Sequence, residues 1–106
     1  MIFIESPLFS RLLSDYLTDD QYGQLQSHLS VNPDAGDVIK GSGGVRKVRW
    51  RASGRGKSGG LRVIYYWAMG ANQIFMLTLY AKNEKADLSP SDLRTIVRLV
   101  EEMDND

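Results

Sequence analysis

Cysteine is absent from these 106 residues, and histidine occurs once, at His28. No disulfide frame, thiolate nucleophile or thiolate metal site can form, and one histidine builds neither a metal cluster nor the base of a Ser/His/Asp triad. Also missing is any apolar run near the ~20 residues that span a bilayer. The amino-terminal Ile2-Phe3-Ile4 is short and has no basic leader, so a signal peptide is not expected and the expected compartment is the cytoplasm. The most informative gap is one of charge sign. From Val38 to Asn83 there is no aspartate or glutamate.

What fills that gap is basic. Lys40, Arg46, Lys47, Arg49, Arg51, Arg55, Lys57, Arg62 and Lys82 lie within it, nine of the thirteen Lys and Arg residues, and all thirteen acidic residues lie outside. A formal net charge of zero therefore hides a +9 block, because the remaining four basic and thirteen acidic residues sum to −9. Such segregation suits a surface that meets a polyanion while the rest of the molecule stays in solution. Gly41 to Tyr66 is the heart of the block and holds seven of the ten glycines. With 42% hydrophobic and 25% charged residues, the composition is that of one globular domain over 1–106. Neither a metal nor a cofactor is expected.

Read in order, Ile2 to Glu5 has the β-branched and aromatic composition of a short strand. Ser6-Pro7 follows as N-cap and first helical residue, and Leu8, Phe9, Leu12, Leu13, Tyr16 and Leu17 recur at helical spacing. Thr18-Asp19-Asp20-Gln21 has the pattern of a capping box. It opens a second helix that buries Tyr22, Leu25 and Leu29 and stops by Asn32-Pro33. His28, on that helix, reads as a surface or boundary residue. Asp34 to Gly44 predicts a loop with a short extended piece around Val38 and Ile39. Val45 to Arg51 alternates, Val48 and Trp50 on one face and Lys47, Arg49 and Arg51 on the other, as a half-buried strand does. Ala52 to Gly60 predicts a hairpin loop, Leu61 to Ala68 a central strand, and Gly70-Ala71-Asn72 a turn. Ile74 to Tyr80 predicts a further strand with Phe75, Leu77 and Leu79 on one face, and Ala81 to Leu88 a polar exit. Ser89-Pro90-Ser91-Asp92 opens a C-terminal helix striped by Leu93, Ile96, Val97, Val100 and Met103, fraying from Glu101 to Asp106. The order β-α-α-β-β-β-α predicts an α+β domain. Its parts are an N-terminal strand and helical hairpin, a mostly antiparallel sheet of three to four strands with helices on one face, and a C-terminal helix.

Gly54-Arg55-Gly56-Lys57-Ser58-Gly59 matches the dinucleotide fingerprint G-x-G-x-x-G, but it leads into a strand where that motif must open a helix. Gly56-Lys57-Ser58 imitates the end of a P-loop, with Arg51 where the first glycine is required. Edge strands use one or two basic residues against aggregation. Lys47, Arg49, Arg51, Arg55, Lys57 and Arg62 exceed that need and point to phosphate binding. Arg62 lies on an otherwise apolar strand and calls for an anionic ligand or an internal partner, Asp37 or Glu84. Tyr65, Tyr66 and Trp67 read as core. Tyr80 and Lys82 share parity, and antiparallel pairing brings them level with Arg62 and the basic loop at one edge of the sheet.

Taken together, GDVIKGSGGVRKVRWRASGRGKSGGLRVIYY and LTLYAKNEKADLS resemble the RelE/HigB superfamily of toxins from bacterial type II toxin–antitoxin modules, the HigB branch most closely. The resemblance implies a RelE-like fold and a ribosome-dependent endoribonuclease, an mRNA interferase. Such an enzyme cuts mRNA in the ribosomal A site by attack of a ribose 2′-OH on the adjacent phosphate. It further implies neutralisation by a cognate HigA-like antitoxin with a helix-turn-helix domain, operator DNA being reached only through that antitoxin, and no membrane partner. By position, Lys47 and Arg49 match the family's basic strand residues and Arg62 its phosphate-stabilising arginine. Lys82, Glu84 and Lys85 fall in the last active-site segment, and Lys57 and Tyr80 come from the HigB-like version of the motif. The catalytic set so implied is Arg62, Lys57, Tyr80, Lys82 and Lys47, with Arg46, Arg49, Arg51, Arg55, Glu84 and Lys85 as RNA contacts. Many RelE members carry a tyrosine beyond this segment. Here Ala86-Asp87-Leu88 stands instead, so either Tyr80 substitutes or the acid–base assignment differs. Two other functions compete: ParE-like gyrase inhibition on the same fold, and a non-catalytic RNA- or ribosome-binding module.

Overall fold

The computed structural model describes residues 1–51 and 60–104. In chain order it contains β1 (Ile2–Glu5), α1 (Pro7–Tyr16), α2 (Asp19–Val31), β2 (Asp37–Val38), β3 (Arg46–Trp50), β4 (Leu61–Ala68), β5 (Gln73–Ala81) and α3 (Pro90–Asp104). Local chemistry sets the helix starts. Ser6 Oγ accepts from the Phe9 N–H and donates to the Leu77 carbonyl at 2.7 Å, so it caps α1 and ties it to β5. Thr18 and Gln21 form the reciprocal capping box of α2. Ser89 and Asp92 exchange the same pair of bonds at the start of α3, each at 3.0 Å. No described helix is long and apolar enough to cross a membrane.

The strands form one sheet in the order β1-β5-β4-β3-β2. β1 runs parallel to β5, and the other neighbours are antiparallel. Five strands replace the expected three to four, because the extended piece at Asp37 and Val38 pairs with Lys47 and Arg46. Helices cover both faces of the sheet, not one. On the first face, Phe9, Leu17, Leu25 and Leu29 from the α1–α2 side pack on Val48, Leu61, Val63 and Tyr65. On the second, Ile96 of α3 packs on Ile64, Phe75, Leu77 and Tyr80. β4 is apolar on both sides, and a strand of that kind must be covered twice. The α3 stripe comprises Ile96, Leu99, Val100 and Met103, with Leu99 in the place expected of Val97. The helix continues through Asp104, past the expected start of fraying at Glu101.

One irregularity sets the geometry of the second face. β4 and β5 pair Tyr65 with Met76 but Ile64 with Thr78, so Leu77 is an extra residue in β5. Such a bulge reverses the alternation of everything beyond it. Phe75 and Leu77 therefore face the α3 side while Leu79 faces the α1–α2 side, which departs from the common face expected of the three. Unbroken pairing would have set Leu79 opposite Arg62. The bulge sets Tyr80 there.

Candidate nucleic-acid interface

Directly paired residues in an antiparallel sheet project to the same side, their Cβ atoms about 4.5–5.5 Å apart. Arg49 pairs with Arg62, and Arg62 with Tyr80, so these three make one row across β3, β4 and β5. The next row on that face is Asp37, Lys47, Ile64 and Thr78. At the other end the Lys82 N–H donates to the Gly60 carbonyl, extending the pairing beyond β5. Gly60 enters β4 at φ +66°, and an added Cβ would lie 3.0 Å from the Trp50 carbonyl oxygen, so glycine is required there.

Two contiguous grooves follow these rows. One, of about 570 Å³, is lined by Asp37, Lys47, Arg49, Arg62, Lys82 and Ala86 among others. Its neighbour, of about 380 Å³, shares Arg49, Arg62 and Lys82 and adds Arg51 and Trp50. Arg62 is the anchored member: only 7% exposed, with Nη1 3.4 Å from the Leu61 carbonyl oxygen. Arg49, Arg51 and Lys82 are exposed. A nearly buried guanidinium at the floor and exposed cations at the rim suit a phosphodiester. Among the described residues, no cluster of three or more His, Asp or Glu side chains could hold a metal ion.

The remaining residues of interest divide. Arg46 lies on the opposite face of β3, where its guanidinium donates to the carbonyls of Asp34 and Gly36, the latter at 2.7 Å. Tyr65 assists by donating to the Pro33 carbonyl and accepting from the Gly36 N–H. Gly36 approaches so closely that a Cβ would meet the Lys47 carbonyl at 2.9 Å. Arg46 thus secures the loop before β2 and lies apart from the grooves. Glu84 and Lys85 border another cleft, of about 380 Å³, between α1, α3 and β5. Glu84 accepts there from the Tyr16 hydroxyl at 2.6 Å, and Lys85 pairs with Asp92 at 3.0 Å. Arg55 and Lys57 lie outside the described residues. His28 is exposed, its ring 5.3 Å from that of Trp50.

Tyr80 lines the cleft and is paired across the sheet with Arg62, which lines both grooves. It is 6% exposed, and its hydroxyl is buried with no hydrogen-bond partner. Burial pushes the phenol up, Asp87 adds to this and Arg62 opposes it, so the proton stays on the oxygen at neutral pH. Lys85 sits 5.8 Å from the ring centroid. An unsatisfied buried hydroxyl carries a penalty of about 1–3 kcal/mol. Tyr80→Phe should therefore hold or raise the melting temperature. A loss above about 1 kcal/mol in a denaturant melt would mean that the hydroxyl has a partner.

Asp87 is the residue that sequence reasoning passed over. Its Oδ1 accepts from Lys47 Nζ at 3.1 Å and from the Leu88 N–H at 2.8 Å. The Leu88 N–H, then Lys47, hold its carboxyl below the usual range, and Arg62 contributes. An acid-free stretch of chain is not an acid-free surface: Asp37 and Asp87, just outside its two ends, both fold back onto Lys47.

Residues 31–105 match the family model described as the RelE toxin of the RelE/RelB toxin–antitoxin system. The chain belongs to the RelE toxin family. In fold it is similar to the free state of E. coli toxin RelE, solved as a double arginine-to-alanine variant, with TM-score 0.53 over 92% of this chain and 93% of that one. The two are 14% identical, so that likeness concerns the fold. RelE membership makes an antitoxin the natural partner at family level. The match includes β2 to β5 and α3, and so every described residue that lines the grooves.

Proposed function

We propose that this RelE-family chain is a ribosome-dependent mRNA endoribonuclease, neutralised by a cognate antitoxin of the HigA-like, helix-turn-helix kind. The observation that carries the reading is the row Arg49–Arg62–Tyr80, whose two arginines share a groove with Lys47 and Lys82. In this scheme the ribose 2′-oxygen attacks the adjacent phosphorus, and the bond from phosphorus to the 5′-oxygen breaks. The products are a 2′,3′-cyclic phosphate and a 5′-hydroxyl. Arg62 and Arg49 balance the negative charge that grows on the phosphoryl oxygens, the largest single contribution to such a reaction. Lys82, as the neutral amine, takes the 2′-hydroxyl proton and becomes an ammonium. Lys47, hydrogen-bonded to Asp87, gives a proton to the departing 5′-oxygen. The Tyr80 hydroxyl is buried, so this scheme assigns the proton transfers to the lysines and gives Tyr80 the place beside Arg62 in the row.

The test is cleavage of a defined mRNA by purified protein, with and without translating ribosomes, with the ends mapped. Cuts that require ribosomes and leave cyclic phosphate and 5′-hydroxyl ends are expected. Translation arrest without cuts would make the protein a docking module. Unimpaired translation without cuts would overturn the reading and favour an inhibitor of DNA gyrase.

A further inference from the structure

We infer that Asp87 is a positioning residue that fixes the Lys47 ammonium over the groove, an inference that rests on the cleavage reading. The geometry has three parts. Lys47 Nζ lies 3.1 Å from Asp87 Oδ1, joining β3 to the segment between β5 and α3. That carboxylate is itself held, because the same Oδ1 accepts from the Leu88 N–H at 2.8 Å. Leu88 is in turn partly buried against the α3-side core. A flexible four-carbon side chain is thus tied, through one oxygen, to the segment that leads into α3.

The tie is directional. An ammonium has three protons. One engages Asp87, which leaves two for a ligand, and Lys47 also lines the groove with Arg62 and Lys82. Asp37 is the comparison that isolates this effect. It stands directly opposite Lys47 across the β2–β3 pair and lines the same groove, so it places a like charge nearby. The Lys47 hydrogen bond nevertheless goes to Asp87, from 40 residues away in the chain.

Simple screening and positioning predict opposite results. If Asp87 only dilutes the positive field, its removal strengthens RNA binding and leaves turnover equal or faster. If it positions Lys47, its removal lowers turnover although binding holds or tightens. A lysine displaced by about 1 Å can lose on the order of 100-fold in rate.

The experiment is ribosome-dependent cleavage by wild type, Asp87→Asn, Asp37→Asn, Lys47→Ala and the Asp87→Asn/Lys47→Ala pair, with kcat and KM separated. A thermal melt of each variant checks the fold. The expected result is a kcat lowered about 10–100-fold by Asp87→Asn, with KM unchanged or lower. Asp37→Asn should change kcat less than Asp87→Asn does, as expected of a groove charge whose neighbour Lys47 is hydrogen-bonded to Asp87 instead. In the Lys47→Ala background Asp87→Asn should have no further effect, because its role passes through the missing amine. Wild-type kcat in Asp87→Asn, or additive losses in the pair, would overturn the inference while leaving the cleavage reading intact. A wild-type protein that does not cut would overturn both.

Discussion

Arg62→Ala is expected to lower kcat for ribosome-dependent cleavage by about 100- to 1,000-fold, the usual consequence of deleting one preorganised donor to a transition-state anion. The expectation rests on position as well as charge. Arg49, Arg51 and Lys82 are exposed, whereas Arg62 is held nearly buried in the centre of the row. A fixed guanidinium needs no reorganisation when charge develops, and that is what makes it count. Arg62→Lys should recover little of the loss, because a lysine has the charge without the planar fork. Single-turnover cleavage, with circular dichroism to confirm the fold, is the check. A fully active Arg62→Ala protein would remove this arginine from the mechanism and shift attention to the rim cations.

Phe9→Ala should reduce stability by about 3–5 kcal/mol, a large share of the ~5–15 kcal/mol of a typical domain. Phe9 is fully buried, and its ring meets that of Tyr22 at 5.7 Å between centroids. The helix that carries it cannot slide to refill the space. Ser6, at its cap, is pinned through its N–H to the Met76 carbonyl and through its hydroxyl to the Leu77 carbonyl. A cavity that cannot collapse retains its full penalty. Urea unfolding of wild type and variant measures the difference. A loss below about 1 kcal/mol would show that the α1–α2 layer can repack around the gap.

Much of the architecture was written locally. Ser6, Thr18 and Ser89 each mark a helix start through bonds that reach only three residues ahead, so these were legible without any knowledge of the fold. The alternation of Lys47, Val48, Arg49 and Trp50 likewise told which residues of β3 face inward. The acid-free block located the cationic surface, and its motif order pointed to the RelE/HigB superfamily. Alternation has no memory of a bulge, however. The extra residue at Leu77 arises from packing between β4 and β5, and it alone decides that Tyr80, not Leu79, stands beside Arg62.

The same limit explains the other departures. Arg46 and Lys47 are neighbours in the chain, yet one secures the loop before β2 and the other reaches the groove, because consecutive strand residues point to opposite faces. Glu84 and Lys85 turn towards α1 and α3, since that is where Tyr16 and Asp92 offer partners. Asp87 reaches Lys47 only after α3 has folded onto β5 and drawn its leading segment across the sheet. The sequence by itself determined the elements, the family and the sign of the surface, all of which follow from short-range pattern and composition. The tertiary structure decided which cations share a groove and which acid holds one of them, because those residues meet from 13 (Arg49–Arg62) to 40 (Lys47–Asp87) positions apart, and no local rule relates them.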